Sequence, residues 1–185
     1  MELQHGNILL RDATKADAKQ LAEWWNDGAV MAHAGFPNGL GTSEEEVAED
    51  IGTGALIIEE AGKPIGEANY RIVDDKVAEI GIKICVFDCQ NRGIGKIVLS
   101  MLIRYLFDNG IDKIVLDTNL ENKRAQHVYE SLGFRKVHVN IDSWTDQVGK
   151  LQSSVDYELL ETDFIDYATY FPGAGPKIPF FLSMD

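Results

Sequence analysis

The sequence predicts a single α/β domain whose mixed sheet is mostly antiparallel. Three alternating apolar runs, 55–59, 64–73 and 76–87, are separated by short turns, which is typical of an antiparallel meander. A long amphipathic helix over 93–108 then leads into an apolar run at 113–118. A strand that follows such a crossover helix pairs in parallel with the strand before it. The 185 residues suit one domain with a sizeable core.

The elements before the meander follow from local signals. A strand at 8–11 precedes a helix that Thr14 caps and that ends near Asn26. The stretch 33–41 is rich in glycine and proline and is predicted to be a loop. Ser43, followed by three glutamates, begins a second helix, because acidic residues stabilise the positive end of the helix dipole.

The elements after the crossover are a helix over 122–132 and two alternating runs, 134–141 and 154–160, which should pair as a terminal hairpin. The domain is therefore placed at 1–163. The extension 164–185 contains three prolines and two glycines, so we expect neither a regular helix nor a central strand there.

The extension carries too many aromatic residues for a segment left in water. We expect it to dock on its own domain or on a neighbouring subunit, and the second alternative would make the protein a homodimer. The aromatic residues are Phe164, Tyr167, Tyr170, Phe171, Phe180 and Phe181.

The composition excludes several classes of protein. A formal net charge of -13 argues against nucleic-acid binding and fits cationic partners. No charged and apolar leader opens the chain, and no apolar run approaches the about 20 residues that span a bilayer, so no membrane association and a cytoplasmic location are expected. Cys85 and Cys89 are too few ligands for a zinc site, so no metal site is predicted and both are interpreted as free thiols.

The turn from Gln90 to Lys96 connects the last strand of the meander to the crossover helix. Gly93 and Gly95 let the backbone turn sharply and come close to a ligand. The first N–H groups of the helix have no intrahelical partners, and the helix dipole and Arg92 add positive charge. A phosphate or pyrophosphate would therefore fit. An ordinary strand-to-helix turn also uses glycine, so the turn alone leaves both interpretations open.

Two sequence blocks together resemble the GNAT acetyltransferases. Gln90, Gly93 and Gly95 match the acetyl-CoA-binding signature of that family, Gln/Arg-x-x-Gly-x-Gly/Ala. A second block resembles the family pattern Asn-x-x-Ala-x-x-x-Tyr-x-x-x-Gly-Phe, at the expected separation. Its matching residues are Asn122, Ala125, Tyr129, Gly133 and Phe134. The resemblance extends over 8–160 and implies the GNAT acyl-CoA N-acyltransferase fold, with a central sheet splayed between its fourth and fifth strands and flanked by about four helices.

The resemblance implies acetyl-CoA as the cofactor. The N–H groups of the glycine turn would hold its pyrophosphate, and the pantetheine arm would occupy the gap between 84–87 and 116–119. Main-chain groups of the first of these strands would polarise the acetyl carbonyl. The cofactor-binding residues implied are Val86, Phe87, Gln90, Asn91, Arg92, Gly93, Ile94, Gly95, Lys96, Asn119, Asn122, Arg124 and Tyr129.

The resemblance also implies that the acceptor amine attacks the thioester directly. Tyr129 matches the family tyrosine that protonates the departing thiolate, although a tyrosine packed under the cofactor is the alternative interpretation. Glu79 is the candidate base, because the family places a carboxylate on the strand that leads into the glycine turn. Glu67 on the neighbouring strand could take that role, and Cys85 as an acyl-carrying nucleophile is a further alternative.

The resemblance further implies that the connection between the first two helices forms part of the acceptor pocket. Its candidate residues are Trp25, His33, Phe36, Glu67 and Glu79. The leading hypothesis is an N-acetyltransferase for a small cationic amine, similar to the branch that acetylates ribosomal proteins, spermidine and the 6'-amine of aminoglycosides. A peptide N-terminus as acceptor and a catalytically silent acetyl-CoA-binding module are the alternatives. A dinucleotide-binding dehydrogenase is disfavoured, because the full Gly-x-Gly-x-x-Gly fingerprint is missing.

Overall fold

The computed structural model describes residues 1–168 and contains one eight-stranded sheet. Its strand order is β1-β2-β3-β4-β5-β6-β8-β7. The strands are β1 (Glu2–His5), β2 (Ile8–Asp12), β3 (Ala55–Glu60), β4 (Lys63–Asp74), β5 (Val77–Ile84), β6 (Lys113–Asn119), β7 (Arg135–Thr145) and β8 (Leu151–Leu160). The helices are α1 (Ala18–Asn26), α2 (Gly28–Met31), α3 (Glu44–Asp50), α4 (Ile94–Asp108) and α5 (Lys123–Ser131).

All neighbouring strands pair antiparallel except β5 and β6. These two pair in parallel at three positions only, the last of which joins Glu79 to Val115. Beyond Glu79, the strand partner of β5 is β4 alone. The predicted mixed sheet that splays at this point is therefore confirmed.

Both faces of the sheet are covered, as the adjacent residues Ile57 and Ile58 of β3 show. Successive side chains of a strand point to opposite faces. Ile58 belongs to the larger apolar cluster, which includes Leu102 of α4, whereas Ile57 packs in a second cluster with Leu21 of α1 and Val47 of α3. Helix α4 thus lies on one face of the sheet, and α1 and α3 lie on the other.

Several boundaries differ from the sequence-based prediction. Strand β1 and the short helix α2 were not predicted. The predicted strand 76–87 ends at Ile84, because Cys89 N–H donates to the Val86 carbonyl and closes a 3-10 turn over Phe87–Cys89. The terminal hairpin is longer than predicted, since β7 continues to Thr145.

The first residues of the extension lie against the domain. The backbone N–H of Ile165 donates to the carbonyl of Leu132 (2.9 Å), and the ring of Phe164 lies 6.0 Å from that of Phe107. Of the remaining aromatic residues of the predicted docking segment, Tyr167 is described, whereas Tyr170, Phe171, Phe180 and Phe181 lie outside the described residues. The homodimer stays a prediction.

Within residues 1–168, no helix is long and apolar enough to cross a membrane.

An ion-pair cluster joins the start of α1 to the sheet beneath it. The guanidinium of Arg11 donates to both carboxylate oxygens of Asp17 (2.9 and 2.8 Å) and to Glu59 (2.7 Å). Asp17 also accepts from the backbone N–H of Thr14 (2.8 Å). These hydrogen bonds, that from Arg11 first, lower the pKa of Asp17 from 3.8 to about 2.

We expect Asp17→Asn to lower the free energy of unfolding by about 2 kcal/mol at pH 7, since each unit of a pKa shift is about 1.4 kcal/mol. The stabilisation from this carboxylate is present above pH 3.8 and is lost as the pH falls toward about 2. Urea unfolding of both proteins should therefore show a difference that shrinks over that range. Asp50→Asn, at an exposed position without an ion pair in the described part of the chain, is the control. An equal loss from both substitutions would contradict the prediction.

Candidate functional site

A cavity of about 900 Å³ opens where β5 and β6 separate. One wall is formed by 81–84 of β5 and the facing wall by 117–119 of β6. The glycine turn and the first turn of α4 lie at one end of the cavity, and α5 closes another side. The two sequence blocks therefore meet at a single site.

The glycine turn carries backbone groups without partners. Asn91 and Gly93 adopt left-handed conformations (φ 59° and 80°), which bring the chain into α4 without a side-chain cap. Among residues 1–168, nothing accepts a hydrogen bond from the N–H groups of Gly93, Ile94 and Gly95. All three residues line the cavity, so this end is suited to an anion.

Neither the backbone conformation nor the packing of the protein requires a glycine at position 95. Its φ is not left-handed, and a Cβ built there would meet no atom within 4 Å. The space that a side chain would fill is thus open next to the unpaired N–H groups. A glycine at this position is suited to a ligand that approaches the backbone closely.

Two cations line the cavity near this turn, and a third points elsewhere. Lys96 and Arg124 belong to the cavity wall. Arg124 donates to the side-chain oxygen of Gln90 (2.7 Å), while the Gln90 amide donates to the Ile84 carbonyl (2.8 Å), so Gln90 connects β5 to α5. Arg92, predicted to bind the anion, instead forms a two-bond ion pair with Glu60 (2.9 and 2.7 Å) and does not line the cavity.

Tyr129 lies on the cavity wall with its ring buried edge-on against Phe134 and Tyr157 (centroid distances 5.9 and 5.8 Å). Its hydroxyl has no hydrogen-bond partner among residues 1–168. No fully buried side-chain polar atom in that part of the chain lacks a partner, so this hydroxyl is accessible from the cavity. Burial, with a smaller contribution from Asp117, raises the pKa of Tyr129 to about 12. The phenol therefore keeps its proton at neutral pH.

Among residues 1–168, Asp117 is the one carboxylate that lines the cavity, and the sequence reasoning missed it. It forms no ion pair within the described part of the chain, and the residue is exposed. Partial burial, Asp156 and Glu79 raise its pKa above the usual range of a carboxyl group. Its position near the end of β6, where the parallel strands diverge, was the available sequence signal.

The two carboxylates predicted to act at the site are both paired and do not line the cavity. Glu79 accepts from Arg71 of β4 (2.7 and 3.1 Å). Glu67 accepts from the Trp25 indole (2.9 and 3.0 Å) and from Lys83 (3.1 Å). Both are engaged by hydrogen-bond donors of the chain itself.

Another part of the cavity lining comes from the α1–α3 connection and from the β7–β8 hairpin. Ala29, Val30 and His33 from the α1–α3 connection and Trp144 from β7 line it. Gln147 ties the two segments together, because its backbone N–H donates to the Gly35 carbonyl and its side chain to the Gly39 carbonyl (both 2.8 Å). A Cβ at Gly35 would overlap the Trp144 ring, so the two segments touch there.

The remaining predicted site residues divide as follows. Asn122 accepts from Ala125 N–H (3.2 Å) as the N-cap of α5, and Asn119 donates to Gln152 (3.0 Å). The predicted residues that line the cavity are His33, Phe87, Gln90, Asn91, Gly93, Ile94, Gly95, Lys96, Asn119, Asn122, Arg124 and Tyr129. Those outside its lining are Trp25, Phe36, Glu67, Glu79, Val86 and Arg92.

Residues 7–135 match a family model described as an acetyltransferase (GNAT) domain. A mycothiol acetyltransferase from Rhodococcus jostii is 33% identical over 54 residues, which is 29% of this chain and 18% of the relative. One from Thermomonospora curvata is 26% identical over 88 residues, 48% of this chain and 30% of the relative. The chain thus spans less than a third of these curated relatives.

Solved structures with the same fold cover most of the chain. A spermidine N-acetyltransferase from Vibrio cholerae in complex with CoA and spermine has a TM-score of 0.74 and 21% identity, covering 85% of this chain and 97% of that one. A GNAT-family acetyltransferase from Bacillus anthracis has a TM-score of 0.75 and 19% identity, covering 88% and 99%. A ribosomal-protein-alanine N-acetyltransferase from Brucella melitensis has a TM-score of 0.67 and 20% identity, covering 82% and 98%.

Cys85 should not react as a nucleophile in the folded protein. It is buried outside the cavity lining, and burial raises its pKa to about 12. Because the thiolate is the reactive form, we expect little labelling of Cys85 by iodoacetamide at pH 8 and rapid labelling in urea. Peptide mass spectrometry measures both, and rapid labelling of Cys85 in the native state would contradict the expectation.

Proposed function

The chain belongs to the GNAT acetyltransferase family, and we propose that it transfers the acetyl group of acetyl-CoA to the primary amine of a small cationic acceptor. Members of this family use acetyl-CoA. The observation that carries the proposal is that one cavity combines unpaired N–H groups at the start of α4, the protonated hydroxyl of Tyr129 and the unpaired carboxylate of Asp117. These are the groups that anion binding and proton transfer require.

The residues at the glycine turn fit the phosphate end of acetyl-CoA. The open space at Gly95 lets a phosphate oxygen approach the free N–H groups of the turn. Lys96 and Arg124 supply positive charge beside them, which an otherwise acidic chain needs in order to bind an anion. The gap between β5 and β6 would take the pantetheine arm.

Acetyl-CoA, consumed as the second substrate, supplies the acetyl thioester. In the proposed reaction, Asp117 accepts a proton from the acceptor ammonium, directly or through one water, and the freed amine forms the new bond to the acetyl carbon. The carbon–sulfur bond then breaks, and the hydroxyl of Tyr129 donates its proton to the sulfur. The nitrogen of the new amide loses its extra proton to the Tyr129 phenolate, and Asp117 releases its proton to solvent. The raised pKa values suit both roles. A carboxylate with a raised pKa is a stronger base than an ordinary carboxylate, and a phenol with a raised pKa stays protonated until it donates.

The acceptor side of the cavity supports a small amine. Gln147 and Trp144 close the connection between α1 and α3 against the β7–β8 hairpin, which limits the space for a long peptide. The carboxylate of Asp117 would attract an ammonium group. The structural neighbour solved with CoA and spermine also supports a cationic amine.

A peptide N-terminus is the second candidate acceptor. It is favoured by the structural neighbour named as a ribosomal-protein-alanine N-acetyltransferase. A silent acetyl-CoA-binding module is less well supported, because it would have no need for the unpaired Asp117 beside Tyr129.

The test is release of free thiol from acetyl-CoA with polyamines, aminoglycosides, amino acids and short peptides. With the accepted amine, we expect Asp117→Asn and Tyr129→Phe each to lower kcat by about 100- to 10 000-fold, the range for one acid or base. Glu79→Gln, the matched carboxylate variant outside the cavity, should stay within a few fold of the wild type. The acidic limb of the pH profile should be lost in Asp117→Asn.

Other outcomes of the panel select the alternatives. A strong loss in Glu79→Gln with an active Asp117→Asn would assign the base to Glu79. Turnover of peptides alone would favour the N-terminal acetyltransferase. Tight CoA binding without turnover of any amine would favour the silent module.

Gly95→Ala should weaken CoA binding by about tenfold or more, because its methyl group would occupy the space next to the unpaired N–H groups. Its unfolding free energy should not fall, since the methyl meets no protein atom and alanine favours the helix. Gly52→Ala is the matched control, because Gly52 lies away from the cavity and a Cβ added there would meet the Asp50 carbonyl oxygen at an ordinary contact distance of 3.8 Å. Isothermal titration with CoA measures the effect, and wild-type affinity in Gly95→Ala would contradict the close approach.

A further inference from the structure

Residues 161–168 form a segment, here named the C-terminal strap, that lies beyond the matched family domain and crosses from the end of β8 to α4. Its path runs close to the end of α5. A Cβ at Gly133 would overlap the carbonyl oxygen of Asp163, and Ile165 N–H donates to the Leu132 carbonyl (2.9 Å). The strap thus depends on the glycine that ends α5.

Three contacts fix the strap along α4. Arg104 lies over the ring of Phe164 (5.0 Å to the centroid) and pairs with Asp166 (3.7 Å). The backbone N–H of Tyr167 donates to the buried hydroxyl of Ser100 (3.0 Å). The strap is therefore ordered up to the position where Tyr167 reaches the first turn of α4.

The ring of Tyr167 bridges α4 and α5. The ammonium nitrogen of Lys96 lies 4.8 Å from the ring centroid, within the range of a cation–π contact. The hydroxyl at the other end of the ring donates to the Ser131 carbonyl at the end of α5 (3.1 Å). The backbone N–H and the hydroxyl of Tyr167 are both hydrogen-bonded, so the ring between them has a defined position beside Lys96.

A cation–π contact and an ion pair differ in their effect on the charge of the cation. Arg92, one turn earlier, is neutralised by Glu60 and lies outside the cavity lining. Lys96 lines the cavity and has no carboxylate partner within residues 1–168. An aromatic face attracts a cation without cancelling its charge, so Lys96 is held in place and keeps a full positive charge for an anion.

We propose that Tyr167 is a positioning residue that holds Lys96 for the phosphate groups of acetyl-CoA, so that cofactor affinity depends on the C-terminal strap. The inference rests on the proposed function. The Tyr167 ring orients the ammonium group of Lys96, whose side chain would otherwise sample many rotamers. Restricting those rotamers before binding increases the affinity for the anionic end of the cofactor.

The experiment is a double-mutant cycle on the full-length chain, with CoA affinity measured by isothermal titration. Tyr167→Leu should weaken CoA binding by about three- to tenfold, the range of a partly exposed cation–π contact. Tyr167→Phe keeps the ring and should stay within about twofold, since the contact with Lys96 does not use the hydroxyl. In a Lys96→Met background, Tyr167→Leu should have no further effect on CoA affinity.

Thermal melting separates this role from a structural one. A strap that only stabilises the fold would lower Tm in Tyr167→Leu and change CoA affinity equally in both backgrounds, which would overturn the inference. Equal losses from Tyr167→Phe and Tyr167→Leu would overturn it as well. Tight CoA binding by the wild type without coupling between Tyr167 and Lys96 overturns this inference alone, whereas no CoA binding at all overturns the proposed function.

Discussion

The early separation of β5 from β6 is the constraint on which the rest of the site depends. Two parallel strands joined by a crossover helix end at the same edge of the sheet, so the starts of α4 and α5 face each other across the gap. Because pairing stops at Glu79, the end of β5 has no strand partner on that side. The cavity is the space that this loss of pairing leaves. Gln90 connects β5 to α5 across it, through hydrogen bonds with the Ile84 carbonyl and with Arg124.

Ion pairs within the chain, rather than the overall composition, decide which charged side chains are available in the cavity. The chain has a formal net charge of -13, yet the cavity wall near the glycine turn carries two cations. Glu67 and Glu79 are held by donors of the chain itself, and Arg92 is held by Glu60. The charged groups that line the cavity and have no partner of opposite charge within residues 1–168 are Lys96 and Arg124 near the glycine turn and Asp117 along the wall. A site for an anion and a site for an ammonium group can therefore lie in one cavity.

Burial explains why the pKa values of Tyr129 and Asp117 are both raised. The ring of Tyr129 is buried between Phe134 and Tyr157, and only its hydroxyl reaches the cavity. Burial disfavours the charged forms of both a phenol and a carboxyl group, which is why the pKa values of Tyr129 and Asp117 move in the same direction. The aromatic core beneath α5 thus contributes to the chemistry without touching a substrate.

The sequence by itself determined the order of the main elements, the mixed sheet, and the two blocks that carry Gly93, Gly95 and Tyr129. These depend on local properties: side-chain periodicity, glycine conformation and helix capping act within a few residues. The splay of the sheet was implied by the resemblance of the two blocks to the GNAT family. Only the tertiary structure decided which charges are free. Arg92 and Glu60 are 32 residues apart, Tyr167 meets Lys96 from the far end of the chain, and Asp117 stands unpaired because its neighbours are acidic. An ion pair depends on the distance between two side chains in space, and that distance is set by strand register and helix docking, which no local pattern records.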